Sequence, residues 1–196
     1  MRFVLVAAAY LLGSIPFAFV LVRLRTGLDL RHQGSGTVGA TNTGRVLGLG
    51  WALVVMVLDV GKGLVAVWLA TQLSANPAWH TAAALAAVAG HCWPVWLSFH
   101  GGKGLATSAG ALLVLSPETL ALVGVLWLVI FACLRRVVVA SSVATALMPV
   151  AFGWLEQPSL GSALPVVAWS LVVLAKHLSD LRRLVQGAPA GGGGTE

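Results

Sequence analysis

The chain has 196 residues, of which 58% are hydrophobic and 9% are charged, with a mean hydropathy of +0.92 and a net charge of +6. Soluble domains carry about 25% charged residues, so this composition excludes a solvated globular surface and indicates an integral membrane protein. The basic residues lie between apolar runs, without the aromatic and basic cluster that single-stranded nucleic acid needs. We therefore expect a lipid bilayer and an anionic substrate as partners, and no nucleic acid.

The apolar runs predict an all-α integral membrane protein with about seven short, partly broken transmembrane helices. The first run covers residues 3–22 with a break at 13–16, and a polar linker follows over 23–45. The second run covers residues 46–73 and is interrupted at 59–63, and a short third run ends at 90. The fourth run follows the glycines at 101–104 and ends at 115. The last three are 117–134, 137–154 and a helix from near Pro165 past His177. Residues 1–187 are thus predicted to form a single membrane-embedded domain, and 188–196, with four consecutive glycines, a disordered tail.

The distribution of basic residues predicts how these helices are oriented. Seven spans with the N-terminus outside and the C-terminus cytoplasmic place ten of the twelve Lys and Arg residues at the cytoplasmic face: Arg23, Arg25, Arg31, Arg45, Lys103, Arg135, Arg136, Lys176, Arg182 and Arg183. This topology also brings all but one of the glycine-rich polar stretches to the cytoplasmic side.

The first of these stretches is Gly34-Ser35-Gly36-Thr37-Val38-Gly39, which matches the dinucleotide-binding pattern G-x-G-x-x-G. That interpretation requires a βαβ unit, which two flanking membrane helices exclude. Glycines nevertheless let successive backbone N–H groups turn toward one anion, and the polar side chains of Ser35, Thr37, Thr41, Asn42 and Arg45 extend such a site. The alternative is a flexible loop.

The second stretch, Gly101-Gly102-Lys103-Gly104, is not a nucleotide triphosphatase loop, because Gly104 follows the lysine where Ser or Thr is required. A lysine between glycines before a helix is still suited to an anion, since the helix dipole and its free N–H groups add to the ammonium charge. The alternative is a lysine that snorkels at the membrane edge.

Further ionisable residues lie at helical spacing. Asp59 and Lys62 share one face of an apolar run, as an internal ion pair or as substrate ligands. His177 and Asp180 share a face of the last helix, where the carboxylate can orient the imidazole, or where both are simply solvated. A lone His91 favours a structural role. The two cysteines have no metal or redox spacing, so we predict neither a metal nor a cofactor.

These motifs, in this order, are similar to those of a known family. The matching segments are residues 12–17, 34–36 with 39–42, Arg45, 58–59 with 62–63, 90–91 with 94–95, and 101–104. The chain resembles the bacterial acyl-phosphate:glycerol-3-phosphate acyltransferases, the PlsY family, over nearly its whole length. It departs from the usual pattern at Asp180, where the family has Asn, and after Gly187, where Ala188 and Pro189 replace a nearby Glu.

The resemblance implies a seven-helix enzyme of the bacterial inner membrane whose active site faces the cytoplasm. Such enzymes transfer an acyl chain from acyl phosphate to the 1-hydroxyl of glycerol 3-phosphate, giving lysophosphatidic acid and phosphate in the first acylation of phospholipid synthesis. They need no cofactor and depend on the enzyme that supplies acyl phosphate. The chain has neither the H-x-x-x-x-D base of other glycerolipid acyltransferases nor a Gly-x-Ser-x-Gly elbow, so we expect no use of acyl-CoA.

Together, the loops and the resemblance predict the site. The catalytic candidates are Ser35, Arg45, Lys103 and His177, and the substrate-binding candidates are Gly34, Gly36, Thr41, Asn42, Gly101, Gly102, Gly104, Ser141, Ser142 and Asp180. In this hypothesis the cations and backbone N–H groups position two phosphates, and a substrate phosphate takes the proton. An acyl-Ser35 intermediate is the rival chemistry. A multi-span anion transporter, which should show internal repeats that we do not find, and a structural scaffold are the alternative classes.

Overall fold

The computed structural model describes residues 2–186, and all regular structure within them is helical. Nine α-helices are found in this part of the chain, joined at two places by a single 3₁₀ turn: α1 (Arg2–Gly13), α2 (Phe17–Thr26), α3 (Ala40–Leu47), α4 (Leu49–Leu73), α5 (Pro77–Cys92), α6 (Leu105–Leu115), α7 (Pro117–Leu134), α8 (Val137–Glu156) and α9 (Leu160–Val185). The predicted tail at 188–196 lies outside the described residues.

Five segments are long and apolar enough to cross a membrane: Arg2–Thr26, which joins α1 and α2, and the helices α4, α7, α8 and α9. Helices α5 and α6 have 16 and 11 residues. At about 1.5 Å per residue they reach roughly 24 and 16 Å, less than the roughly 30 Å hydrocarbon core. Helix α5 packs against α1, α4 and α9, and α6 packs against α4, so both short helices lie inside the bundle. The prediction of an all-helical, multi-pass membrane protein is confirmed.

One polar segment lies inside a helix, and one helix boundary differs from the prediction. Residues 59–63 interrupt the apolar run in sequence, and α4 continues through them from Leu49 to Leu73. Its charges at Asp59 and Lys62 neutralise each other within the helix, and Gly63 provides close contact with α6, where a Cβ would lie 2.1 Å from the Thr107 carbonyl oxygen. The last helix begins at Leu160 instead of near Pro165. Proline inside a membrane helix is tolerated because neighbouring groups satisfy the freed backbone.

The polar linker is partly ordered. Helix α2 extends to Thr26 and ends at Gly27, which is left-handed at φ 73°. A 3₁₀ turn follows at Leu30–His32, and α3 begins at Ala40. We call residues 27–39 the first loop and residues 98–104 the second loop. Both lie where α5 ends and where the C-terminal half of α9 passes, so one end of the bundle carries the polar groups.

Candidate active site

An open cavity of about 750 Å³ lies between the first loop, the second loop and α9. Its lining residues are mostly polar or glycine, and they come from four separate parts of the chain: Arg31, His32, Ser35, Gly36, Thr37, Trp93, Ser98, Phe99, His100, Gly101, Gly102, Lys103, Lys176, Ser179, Asp180 and Arg183. The two glycine-rich stretches singled out in the sequence therefore face one space.

An ion pair organises the start of the first loop. Asp29 caps the 3₁₀ turn by accepting a hydrogen bond from the Arg31 backbone N–H at 2.9 Å, and its Oδ2 lies 2.7 Å from Arg31 Nη2. The hydrogen-bonded Arg31 guanidinium lowers the pKa of the Asp29 carboxyl to about 2, and the carboxylate in turn raises the pKa of Arg31. Both groups are therefore charged at neutral pH, and the pair holds the start of the loop.

Asn42 holds the rest of the first loop from within α3. Its Oδ1 accepts a hydrogen bond from the Ser35 backbone N–H at 3.0 Å, while its Nδ2 donates to the carbonyls of Gln33 at 2.8 Å and Leu30 at 3.3 Å. Gly34 passes so close that a Cβ would lie 2.3 Å from Asn42 Oδ1, and its φ of 54° also favours glycine. Asn42 is 1% exposed, so its contacts shape the loop that presents Ser35.

The second loop delivers Lys103 to the opposite wall. Ser98 and Phe99 adopt left-handed backbone angles, with φ of 50° and 64°, and turn the chain after the short 3₁₀ turn at Val95–Leu97. Gly104, at φ 87°, then starts α6. The Lys103 ammonium pairs with the Asp180 carboxylate and so joins this loop to α9.

Helix α9 presents one polar face to the cavity. Ser179, Asp180 and Arg183 lie three, four and seven residues after Lys176, which places all four on one side of the helix. Lys176 Nζ donates to the Cys92 carbonyl at 3.0 Å and lies 5.5 Å from the centre of the Trp93 ring. The ammonium is therefore fixed at the C-terminal end of α5.

The cavity is electropositive. Four cationic side chains line it, namely Arg31, Lys103, Lys176 and Arg183, against the single carboxylate of Asp180. Such a site favours anionic ligands over cations. Among residues 2–186, no group of three or more His, Cys, Asp or Glu side chains is arranged to hold a metal ion.

The structure brings together six of the predicted site residues at the cavity wall: Ser35, Gly36, Gly101, Gly102, Lys103 and Asp180. Gly34, Asn42 and Gly104 support the loops. Thr41 and Arg45 lie on α3 next to the first loop. A Cβ added to Gly34 would lie 3.6 Å from Arg45 Cδ.

The remaining three predicted residues are buried and do not line the cavity. His177 is 2% exposed, and its Nδ1 lies 2.8 Å from the Val173 carbonyl instead of meeting Asp180. Ser141 accepts a hydrogen bond from Trp127 Nε1 at 3.0 Å. The Ser142 hydroxyl is buried without a hydrogen-bond partner among the described residues. The functional roles of these residues stay predictions.

Sequence reasoning missed several lining residues, above all Arg31, Trp93, His100 and Lys176. For Lys176 a signal existed, because it shares a helix face with Asp180. For Arg31, Trp93 and His100 no local pattern distinguishes them, since their position depends on how the loops fold against α9.

Comparison with known proteins gives the family. The family model described as glycerol-3-phosphate acyltransferase matches residues 3–187. The chain belongs to this family. Proteins named glycerol-3-phosphate acyltransferase are 47% identical in Synechococcus sp. (strain CC9902) and 42% identical in Desulforamulus reducens, in each case over 93% of this chain and 91% of the relative.

Solved structures of a family member share the architecture. The crystal structure of PlsY, an integral membrane glycerol 3-phosphate acyltransferase, in its glycerol 3-phosphate form is 35% identical with a TM-score of 0.89, covering 98% of this chain and 96% of that one. Its lysophosphatidic acid form is 32% identical with a TM-score of 0.86, covering 98% and 95%. The resemblance identified from the sequence motifs is therefore confirmed, and the multi-pass membrane fold is that of the glycerol-3-phosphate acyltransferase family.

Proposed function

We propose that this protein transfers a fatty acyl group from acyl phosphate to the 1-hydroxyl of glycerol 3-phosphate, giving lysophosphatidic acid and inorganic phosphate. The observation that carries the proposal is the cavity itself, where two glycine-rich loops and four cations surround a space large enough for two phosphorylated groups. Family membership supports glycerol 3-phosphate as acceptor. The choice of acyl phosphate as donor rests on the motif resemblance and on the missing H-x-x-x-x-D base.

The chemistry requires positioning more than a strong protein base. The acceptor hydroxyl oxygen attacks the acyl carbonyl carbon, the bond from that carbon to the phosphate oxygen breaks, and the hydroxyl proton passes to a substrate phosphate. Phosphate is a good leaving group from this mixed anhydride. Lys103, Lys176 and the backbone N–H groups of the loops offset the charge of two anions held side by side.

Direct transfer is favoured over an acyl-Ser35 intermediate by the contacts of Ser35. Its hydroxyl is hydrogen-bonded to Thr37 Oγ1 at 3.2 Å, which is a neutral hydroxyl and not a general base. A nucleophilic serine is activated by an adjacent base, most often a histidine. In this proposal Ser35 and Thr37 instead donate hydrogen bonds to a phosphate.

The proposed setting is the bacterial inner membrane, with the cavity open to the cytoplasm, where glycerol 3-phosphate is soluble and the acyl chain extends into the lipid. Residues 1–187 act as one membrane-embedded domain. The protein then depends functionally on the enzyme that makes acyl phosphate, and it uses no cofactor of its own.

Parallel assays of the purified protein test the donor. With glycerol 3-phosphate as acceptor, we expect lysophosphatidic acid from acyl phosphate and none from acyl-CoA or acyl carrier protein, measured by mass spectrometry of extracted lipid. Robust turnover of acyl-CoA would contradict the proposal. In the same experiment the protein should keep its unmodified mass after exposure to acyl phosphate alone, whereas an acyl adduct that glycerol 3-phosphate removes would establish the two-step route.

A further inference from the structure

A buried charged cluster lies next to the cavity and is not explained by substrate binding. Asp59 and Lys62 on α4 and His91 on α5, which we call the buried triad, are 3%, 4% and 8% exposed. Lys62 Nζ lies 2.8 Å from Asp59 Oδ1, and His91 Nδ1 lies 3.5 Å from the same oxygen. All three side chains are absent from the wall of the large cavity. They are therefore placed to act on the site through other residues.

One end of the buried triad fixes the break between α1 and α2. Lys62 Nζ donates to the Ile15 carbonyl at 2.9 Å and lies 5.7 Å from the centre of the Phe17 ring. Ile15 lies just before Pro16, and its carbonyl also accepts a longer hydrogen bond from the Phe17 backbone N–H at 3.2 Å. The ammonium from α4 adds the shorter contact and so ties α4 to this break inside the bundle.

The other end supports the second loop. The Gly102 N–H donates to the His91 carbonyl at 3.1 Å, and a Cβ on Gly102 would lie only 2.1 Å from His91 Nε2. A Cβ on Gly101 would lie 2.2 Å from the His91 carbonyl oxygen. The two glycines that precede Lys103 thus rest directly on the His91 backbone and ring. The same Cβ position on Gly102 would lie 2.6 Å from the carbonyl oxygen of Val38, which belongs to the first loop.

A buried ion pair is weak as a source of stability, because the cost of removing both charges from water offsets their attraction. Its geometry is nevertheless well defined, since each partner is held by more than one contact. From these contacts we propose that Asp59, Lys62 and His91 are positioning residues. They hold Gly101 and Gly102 at a fixed distance from the first loop. In this way they set the position of the Lys103 side chain for phosphate binding. This inference rests on the proposed phosphate-binding function of the cavity.

The test compares two histidines on the same helix. His91→Leu removes the polar contact with Asp59 and changes the surface beneath Gly102. His80→Leu is the matched control, because His80 lies at the other end of α5, where its Nε2 contacts the Ser74 carbonyl at 2.7 Å. His91→Asn is the conservative variant, since its amide can still reach toward the Asp59 carboxylate.

Two readouts are measured in detergent: the KM for glycerol 3-phosphate, and the orthophosphate concentration that gives half of the maximal thermal stabilisation. For His91→Leu we expect the KM and the orthophosphate midpoint to rise about tenfold, because the binding group is slightly misplaced. His91→Asn should give intermediate values, and His80→Leu should leave both unchanged. A merely structural role would reduce the folded fraction and so lower the apparent kcat, while KM and the orthophosphate midpoint stayed the same.

Unchanged KM and midpoint in folded His91→Leu would overturn the inference, and so would failure of both His91 variants to fold. The orthophosphate readout needs no turnover. If the wild-type protein proved inactive with acyl phosphate, the proposed reaction would fail, while the orthophosphate midpoints would still decide whether the buried triad positions the loop.

Discussion

At the scale of single residues, the central feature is the ion pair between Lys103 and Asp180. The ammonium best placed to bind a phosphate already has a carboxylate partner, and both side chains are partly exposed, at 29% and 22%. A phosphate that binds Lys103 must displace or share this contact. The carboxylate therefore competes with the substrate for the cation, and it also repels the incoming anion.

We predict that Asp180→Asn lowers the KM for glycerol 3-phosphate. Pairs at this exposure contribute about 0.2–1 kcal/mol, so the KM should fall by up to about fivefold.

Lys103→Ala should instead cost about 2–5 kcal/mol of transition-state binding, measured as kcat/KM. Lys103→Arg should not restore kcat/KM, because a planar guanidinium does not replace a point charge between two glycines.

Steady-state kinetics with varied glycerol 3-phosphate measure these effects. Glu118→Gln, which neutralises a carboxylate in the first turn of α7, is the control and should leave KM unchanged. A rise in KM for Asp180→Asn would show that the carboxylate itself contacts the substrate and does not compete with it.

At the scale of helices, small residues set the distances inside the bundle. Gly13 and Gly90 bring α1 and α5 together, with Cβ positions 2.0 Å from the Ala87 carbonyl oxygen and 2.2 Å from the Tyr10 carbonyl oxygen. On the other side, Gly110 brings α6 against α4. Helices in membranes associate through such close backbone approach, since lipid gives little hydrophobic drive between them. This packing holds the short helices α5 and α6, and hence the second loop, in place.

Gly110→Ala should therefore destabilise the bundle. The new Cβ would lie 1.9 Å from the Val60 carbonyl oxygen, a backbone atom that cannot move away alone, and such overpacking costs about 1–3 kcal/mol. Gly124→Ala is the matched control, because nothing lies within 4 Å of that position on α7. Since alanine favours a helix by up to about 1 kcal/mol over glycine, the control should be neutral or stabilising.

Thermal unfolding of the two variants in the same detergent measures the difference. Equal midpoints for Gly110→Ala and the wild type would mean that α6 can shift away from α4 at little cost.

At the scale of the whole molecule, all parts of the cavity lie at one end of the bundle, and four of the ten basic residues that the topology prediction places in the cytoplasm line it. The start of α7 and the end of α8 lie side by side, because the Ser116 hydroxyl donates a hydrogen bond to the Glu156 carboxylate at 2.5 Å. An odd number of crossings, with five long spans and two short ones, is consistent with this arrangement.

Cysteine labelling tests the orientation. In a background with the exposed Cys133 replaced by Ser, His32→Cys introduces a thiol at a side chain that is 78% exposed in the first loop. We expect no reaction with a membrane-impermeant reagent added from the periplasm until the membrane is permeabilised. Ala75→Cys, between α4 and α5, is the control and should react at once. Labelling of His32→Cys in intact cells would contradict the predicted topology.

The all-helical membrane fold and the two loops are predictable from the amino-acid sequence alone. These follow from local properties. An apolar run partitions into the bilayer whatever its neighbours in the fold are, and a glycine-rich polar stretch cannot be exposed to the lipid. The loops and the family resemblance predicted Ser35, Lys103 and Asp180 for the site, and all three line the cavity. Sequence periodicity also placed Asp59 and Lys62 on one helix face, as the structure shows.

Which of these residues meet depends on the tertiary structure. Lys103 and Asp180 are 77 residues apart, and Lys176 and Cys92 are 84 apart, so their contacts depend on how α9 packs against α5 and the second loop. The same holds for His91, whose place beneath Gly102 no local pattern indicates. The charges and glycines at residues 59–63 interrupt the apolar run, and neutralisation within α4 together with the close approach of α6 lets them lie in one continuous helix. Pairing across the bundle is set by packing of whole helices, and no short stretch of sequence contains that information.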